Sequence, residues 1–120
     1  MEYKKSYIPL ESDPKIFTEL MHDLGASSYL KFIDIWSLED DDIGFIPRPV
    51  LALILILPPC PTYEEQRNTQ NITTHDENGE LVWMKQTINN ACGLYGIIHS
   101  VCNISAVISK RHCLLLLYEY

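Results

Sequence analysis

The chain has 120 residues, 47% of them hydrophobic, and carries 16 acidic against 9 basic side chains for a formal charge of −7. That length and apolar content suit one compact domain built on one core. The acidic balance lacks the clustered Lys and Arg that nucleic acid or an anionic membrane demands, and it favours a basic or mixed protein partner.

Near the start, two lysines are followed by Pro9, Glu11, Asp13 and Pro14. No apolar stretch of a secretory leader forms there, and the sequence predicts a cytoplasmic protein. Ser12-Asp13-Pro14 is a helix start, a capping side chain followed by proline at the first helical position. Ile16, Phe17, Leu20, Met21 and Leu24 then recur at helical spacing, and Gly25 ends the run. Residues 29–36 set Leu30, Phe32, Ile33, Ile35 and Trp36 around Asp34, the composition of a mostly buried strand. A short acidic helix or turn is expected over residues 38–45.

Pro47-Arg48-Pro49 blocks helix, and the run VLALILIL that follows is bounded again by Pro58, Pro59 and Pro61. This predicts a central strand over residues 50–57, far shorter than the roughly 20 residues of a bilayer-spanning helix. Residues 63–78 are polar and read as a short helix running into an exposed loop. Val82-Trp83-Met84 is a short apolar segment leading into Lys85-Gln86-Thr87-Ile88-Asn89-Asn90-Ala91-Cys92-Gly93. After Asn90, the residues Leu94, Ile97, Ile98, Val101 and Cys102 follow the helical period, which places Cys92 in the first turn of a buried helix.

Cys60, Cys92, Cys102 and Cys113 contain no CxxC pair, and a reducing compartment argues against a disulfide framework. The nearest approach to a metal pattern is His99 with Cys102, plus His112 beside Cys113; neither has the spacing of a zinc site, and no metal or cofactor is expected.

Cys92 is the residue with the strongest chemical reading. In the first turn of a helix it sits near unpaired backbone N–H groups and the positive end of the helix dipole, which favour the nucleophilic thiolate. Gln86, six residues earlier, can turn back beside the sulfur and donate to a developing oxyanion, with the Cys92 N–H as second donor. Gly93 would leave room for a substrate backbone. The alternative stays open at this point, since most free cysteines in helices are small core residues and exposed glutamines are common.

Gln86-Thr87-Ile88-Asn89-Asn90-Ala91-Cys92-Gly93 resembles the active-site signature of the ubiquitin C-terminal hydrolases, a family of cysteine proteases. Ile8-Pro9-Leu10-Glu11-Ser12-Asp13-Pro14 resembles the opening of that family, Phe32-Ile33-Asp34-Ile35 its first strand, and Ile46-Pro47-Arg48-Pro49-Val50 the entry to its central strand. Residues 94–103 resemble its active-site helix. The resemblance implies an α/β papain-like cysteine protease fold, with helices around a central antiparallel sheet, that removes adducts from the C-terminus of ubiquitin. Carried over, Cys92 is the nucleophile and Gln86 the oxyanion donor. Pro9, Leu10 and Glu11 match a region that touches ubiquitin, although a turn entering a capped helix explains them equally well. The implied partner is ubiquitin or a ubiquitin-like protein, with no nucleic acid and no membrane, and the chain is expected to act as a monomer.

The resemblance covers about residues 6–103, the N-terminal half of the family's domain, so the fold is expected to be incomplete. Residues 104–120, ISAVISKRHCLLLLYEY, match nothing recognisable in the family and read as an alternative exon or a changed reading frame. The general-base histidine and its orienting aspartate belong to the second half. His99 stands about two helical turns, roughly 10 Å, beyond Cys92 and is too distant to serve as the base. His112 in the tail is a weak candidate, and His22 and His75 read as surface residues. Two functions therefore compete: a thiol-dependent deubiquitinating hydrolase, and a catalytically incomplete fragment that at most binds ubiquitin or a partner. For the chain as written, the second is the expectation.

Overall fold

The computed structural model describes residues 3–58, 60–62, 65, 81–104 and 113–119. All but residue 65 of the helix and loop expected over residues 63–78 lies outside them, His75 included, and so does His112. Helix α1, Pro14–Asp23, starts as its sequence dictates: Asp13 is the N-cap, its carboxylate accepts from Lys15 N–H at 2.7 Å, and Pro14 opens the first turn. Gly25 follows with φ 94°, a left-handed conformation that a side chain would strain. Phe17 and Met21, one turn apart, are the buried face of α1.

Strand β1, Leu30–Asp34, comes next and alternates as a one-sided strand should, with Leu30 and Phe32 buried and Lys31 exposed. The phenyl rings of Phe17 and Phe32 meet edge to face at 5.5 Å. Thr18 ties the two elements together, its hydroxyl donating to Pro14 O at 2.7 Å and accepting Phe32 N–H at 2.9 Å. His22 belongs to the same junction, because its ring lies half-buried with Nε2 2.8 Å from Leu30 O; the surface reading of this histidine gives way to a structural one. Trp36 also departs from the buried-strand expectation. It lies past the end of β1 and is 89% exposed. Acidic α2, Asp40–Gly44, is a single short turn with no buried residue.

Strand β2, Val50–Ile56, pairs with strand β3, Cys113–Glu119, which also pairs with β1. The order in this sheet is β1-β3-β2, and both pairings are parallel. Two expectations are thereby corrected among the described residues: the sheet is parallel rather than antiparallel, and β3, not β2, is its middle strand. Connectivity permits this: antiparallel neighbours can be joined by a tight turn, whereas parallel pairing needs a crossover of about a dozen residues or more, and the chain supplies long ones, β1 reaching β2 through residues 35–49 and β2 reaching β3 through α3, Cys92–Cys102. A bulge at the start of β2 sets Val50 opposite Leu114 and Ala52 opposite Leu115.

Helices α1 and α3 pack against each other and against one face of the sheet. The core joins Phe17 and Met21 of α1, Leu30 and Phe32 of β1, and Ile97 of α3, with Ala52, Ile54 and Ile56 of β2 packed alongside. Gly96 faces Ile54 across this interface, where a Cβ would make ordinary van der Waals contact at 3.5 Å from Ile54 Cδ1. On the opposite face of β2, Leu53 and Leu55 are 59% and 51% exposed. No helix among the described residues is long and apolar enough to cross a membrane.

Candidate active site

Cys92 is the first residue of α3 and is solvent-exposed. Ala91 is the N-cap and makes no side-chain capping bond, so among the described residues no side chain covers the orphan N–H groups of the first turn on which Cys92 stands. The chain is brought to this point by a docked loop. Asn89 exchanges backbone bonds with the N-terminal segment, Asn89 N–H to Lys5 O and Tyr7 N–H to Asn89 O, each at 2.9 Å. Its side chain donates to Ser6 Oγ and that of Asn90 to Tyr7 O, both at 3.2 Å. Asn90 itself has φ 60°, a left-handed turn that asparagine tolerates better than most residues and that swings the chain into α3.

Gln86 lies half-buried on the strap leading into this loop, and its Nε2 donates to Ile88 O at 2.8 Å. A primary amide carries two N–H donors, so one remains beyond that bond. Of the three residues expected to meet a protein substrate, Pro9 and Glu11 are exposed while Leu10 packs against the core. Gly93 differs from its expected role: the space a Cβ would fill is taken by Leu10 Cδ2 at 3.1 Å and Phe17 Cζ at 3.4 Å, so this glycine admits the protein's own N-terminal segment.

Residues 82–87 run along α3 and are gripped by its side chains and by that of its C-cap, Asn103. Asn103 accepts Val82 N–H at 2.9 Å and donates to Val82 O at 3.0 Å. Met84 N–H donates to His99 Nε2 at 2.9 Å, and Thr87 N–H donates to the Tyr95 hydroxyl at 3.2 Å. The Thr87 hydroxyl reaches the same phenol oxygen at 3.2 Å. These Thr87 bonds, the side-chain one first, hold the Tyr95 pKa below the usual tyrosine range, against a small opposing effect of burial. Tyr95 and Asn103 had no assigned role from the sequence; the readable signal was the four-residue spacing of Tyr95, His99 and Asn103 along one helix face.

Both described histidines are committed, His22 to Leu30 O and His99 to Met84 N–H and a stack on Trp83. Among the described residues no group of three or more His, Cys, Asp and Glu could hold a metal ion. A cleft of about 290 Å³ opens beside Ile35, Trp36, Phe45 and Ile46, and neither Cys92 nor Gln86 lines it.

Residues 7–116 match the model of the ubiquitin carboxyl-terminal hydrolases, family 1. The ubiquitin carboxyl-terminal hydrolase YUH1 of Saccharomyces cerevisiae is 36% identical over 100 residues, which cover 82% of this chain and 41% of the yeast protein. A ubiquitin carboxyl-terminal hydrolase of Drosophila melanogaster is 41% identical over 102 residues, 82% of this chain and 45% of the fly protein. The human isozyme L1 is 33% identical over 97 residues, 79% and 44% of the two chains. The chain thus spans less than half the length of these relatives. No solved structure matches it significantly. With the signature around Cys92, the family match over most of its length and these relatives in agreement, the chain belongs to the ubiquitin carboxyl-terminal hydrolases, family 1.

Proposed function

We propose that this chain carries the nucleophilic half of a thiol hydrolase that cleaves adducts from the C-terminus of ubiquitin or a ubiquitin-like protein. Cys92 attacks the carbonyl of the terminal residue, and Gln86 together with the Cys92 N–H receives the negative charge that develops on its oxygen. Pro9 and Glu11 form part of the surface that meets the substrate. The observation that carries this reading is an exposed cysteine opening a helix whose first turn no side chain among the described residues caps, reached through a loop docked on the N-terminal segment. The protein works as a cytoplasmic monomer in a papain-like arrangement, without nucleic acid or membrane.

A second reading has its own support, because neither described histidine is free to activate Cys92. Without a base, the chain alone acts weakly or only binds. Proton transfer by a positioned side chain typically contributes about 10²–10⁴-fold, and that is the loss expected. The family match runs on to residue 116 and so takes in most of the tail that the sequence set apart; sequencing the transcript downstream of the Asn103 codon tests whether residues 104–120 have a different origin from the rest.

The deciding measurement is steady-state hydrolysis of a fluorogenic ubiquitin C-terminal adduct by the 120-residue chain, its Cys92→Ala variant, and a version extended with a family second half. Turnover by the extended protein that vanishes with Cys92→Ala supports the hydrolase reading. Activity that survives Cys92→Ala overturns it.

A further inference from the structure

The strap of residues 82–87 carries Gln86, yet among the described residues its backbone finds no backbone partner. It is held instead by two side chains of α3, Tyr95 and His99, and by that of its C-cap, Asn103. Because Tyr95, His99 and Asn103 are spaced by four residues, they stand one above another on a single helix face. They meet the strap in reverse order, Asn103 at Val82, His99 at Met84 and Tyr95 at Thr87, so the strap runs against the direction of α3.

His99 is the middle rung, reaching the strap at Met84 two residues before Gln86, while Tyr95 holds Thr87 directly after it. A backbone N–H only donates, so at 2.9 Å from Met84 N the His99 Nε2 must accept, which puts the imidazole proton on Nδ1. The ring is fixed from both sides. It stacks on Trp83 with centroids 4.6 Å apart and planes 15° apart, and it meets the Tyr95 ring edge-on at 6.2 Å. A histidine used in this way, its ring flanked by aromatics and its acceptor aimed at one peptide N–H, sets the height of the strap over the helix.

We propose that His99 is a positioning residue for Gln86: its neutral, Nδ1-protonated imidazole pins Met84 and thereby fixes where the Gln86 amide stands relative to Cys92. The catalytic consequence rests on the reading of Cys92 and Gln86 given above, whereas the positioning itself does not.

The test compares the full chain with its His99→Phe, His99→Gln and Met84→Pro variants by NMR. Phenylalanine keeps a ring on Trp83 but deletes the acceptor. Glutamine restores an acceptor oxygen at a similar distance from the backbone, and proline at 84 deletes the donor. The imidazole nitrogens of the wild type should show the Nδ1–H tautomer. Amide exchange at Met84 and at the Gln86 side chain should accelerate at least tenfold in His99→Phe, return to within about threefold of wild type in His99→Gln, and leave Ile97 in α3 unchanged; Met84→Pro should mobilise the Gln86 amide in the same way. Equal exchange at Met84 and Gln86 in wild type and His99→Phe, or an Nε2–H tautomer, overturns the proposal. For the catalytic arm, the adduct of Cys92 with ubiquitin bearing a C-terminal aldehyde should weaken equally in His99→Phe and Gln86→Ala, and no further in the double variant. If the two losses multiply, His99 does not act through Gln86. If the wild type extended with a family second half also forms no adduct while His99→Phe still releases the Gln86 amide, it is the hydrolase reading that fails and the positioning that stands.

Discussion

The Cβ that Gly93 lacks would stand 3.2 Å from Leu10 Cβ, so the residue after the candidate nucleophile is the seat of the N-terminal segment. Residues far apart in sequence thus share one contact at the start of α3. Anything that lifts Leu10 also disturbs the turn on which Cys92 stands.

From this contact follows a stability cycle. In wild type, Gly93→Ala gains helix propensity of up to about 1 kcal/mol but forces Leu10 to give way, and overpacking typically costs about 1–3 kcal/mol. In a Leu10→Gly background both Leu10 contacts, Cδ2 and Cβ, are gone and the same substitution should stabilise. Urea titration of the four proteins measures the coupling. Additive effects within about 0.5 kcal/mol would mean the two residues do not press on each other.

Thr18 is expected to be costly to replace for its size. Its hydroxyl is the acceptor for Phe32 N–H, and Thr18→Val leaves that N–H unpaired beside the core at a cost of about 1–3 kcal/mol. Thr18→Ser keeps the oxygen and should retain most of the stability. Denaturant melts of both variants decide the matter, and equal loss in each would assign the effect to the methyl group.

Cys92 and Cys102 mark the two ends of one helix, and both are exposed. Negative charge gathering on an attacking sulfur is favoured at the N-terminal end and opposed at the C-terminal end. Mass-mapped alkylation of the folded protein at neutral pH should therefore label Cys92 ahead of Cys102 and of exposed Cys60. Faster labelling of Cys102 or Cys60 would contradict a site preorganised at Cys92, and loss of the difference in urea would tie it to the fold.

Tyr95 should ionise early. Two Thr87 donors converge on its oxygen and favour the phenolate, lowering its pKa from the usual value of about 10. The folded pKa lies below the unfolded one, so the ionised ring contributes stability that is fully present above the unfolded value and is lost as pH falls through the folded value. Spectrophotometric titration should show one tyrosine ahead of the others, absent in Tyr95→Phe and returned toward the rest in Thr87→Val. An unchanged curve in Thr87→Val would remove Thr87 as the cause.

Several elements are legible in the sequence because the chemistry that makes them is local. Asp13 and Pro14 announce α1, since capping and a fixed φ act within a few residues. The proline-bounded apolar run announces β2, and the spacing after Asn90 places Cys92 on the first turn of α3. The signature through Gln86 and Cys92 points to the family, because eight adjacent positions carry information that no periodicity does. What the tertiary structure alone decided is non-local. Strand direction and order depend on how long crossovers return, so nothing within residues 113–119 says that they enter between β1 and β2 with parallel pairing. Exposure of Trp36, the bond from His22 to Leu30 and the seat of Leu10 on Gly93 depend on neighbours that folding supplies. The grip of Tyr95, His99 and Asn103 is half written in their four-residue spacing. Their partner is not, because a backbone N–H carries no sequence label, and only the packed strap shows which ones these side chains hold.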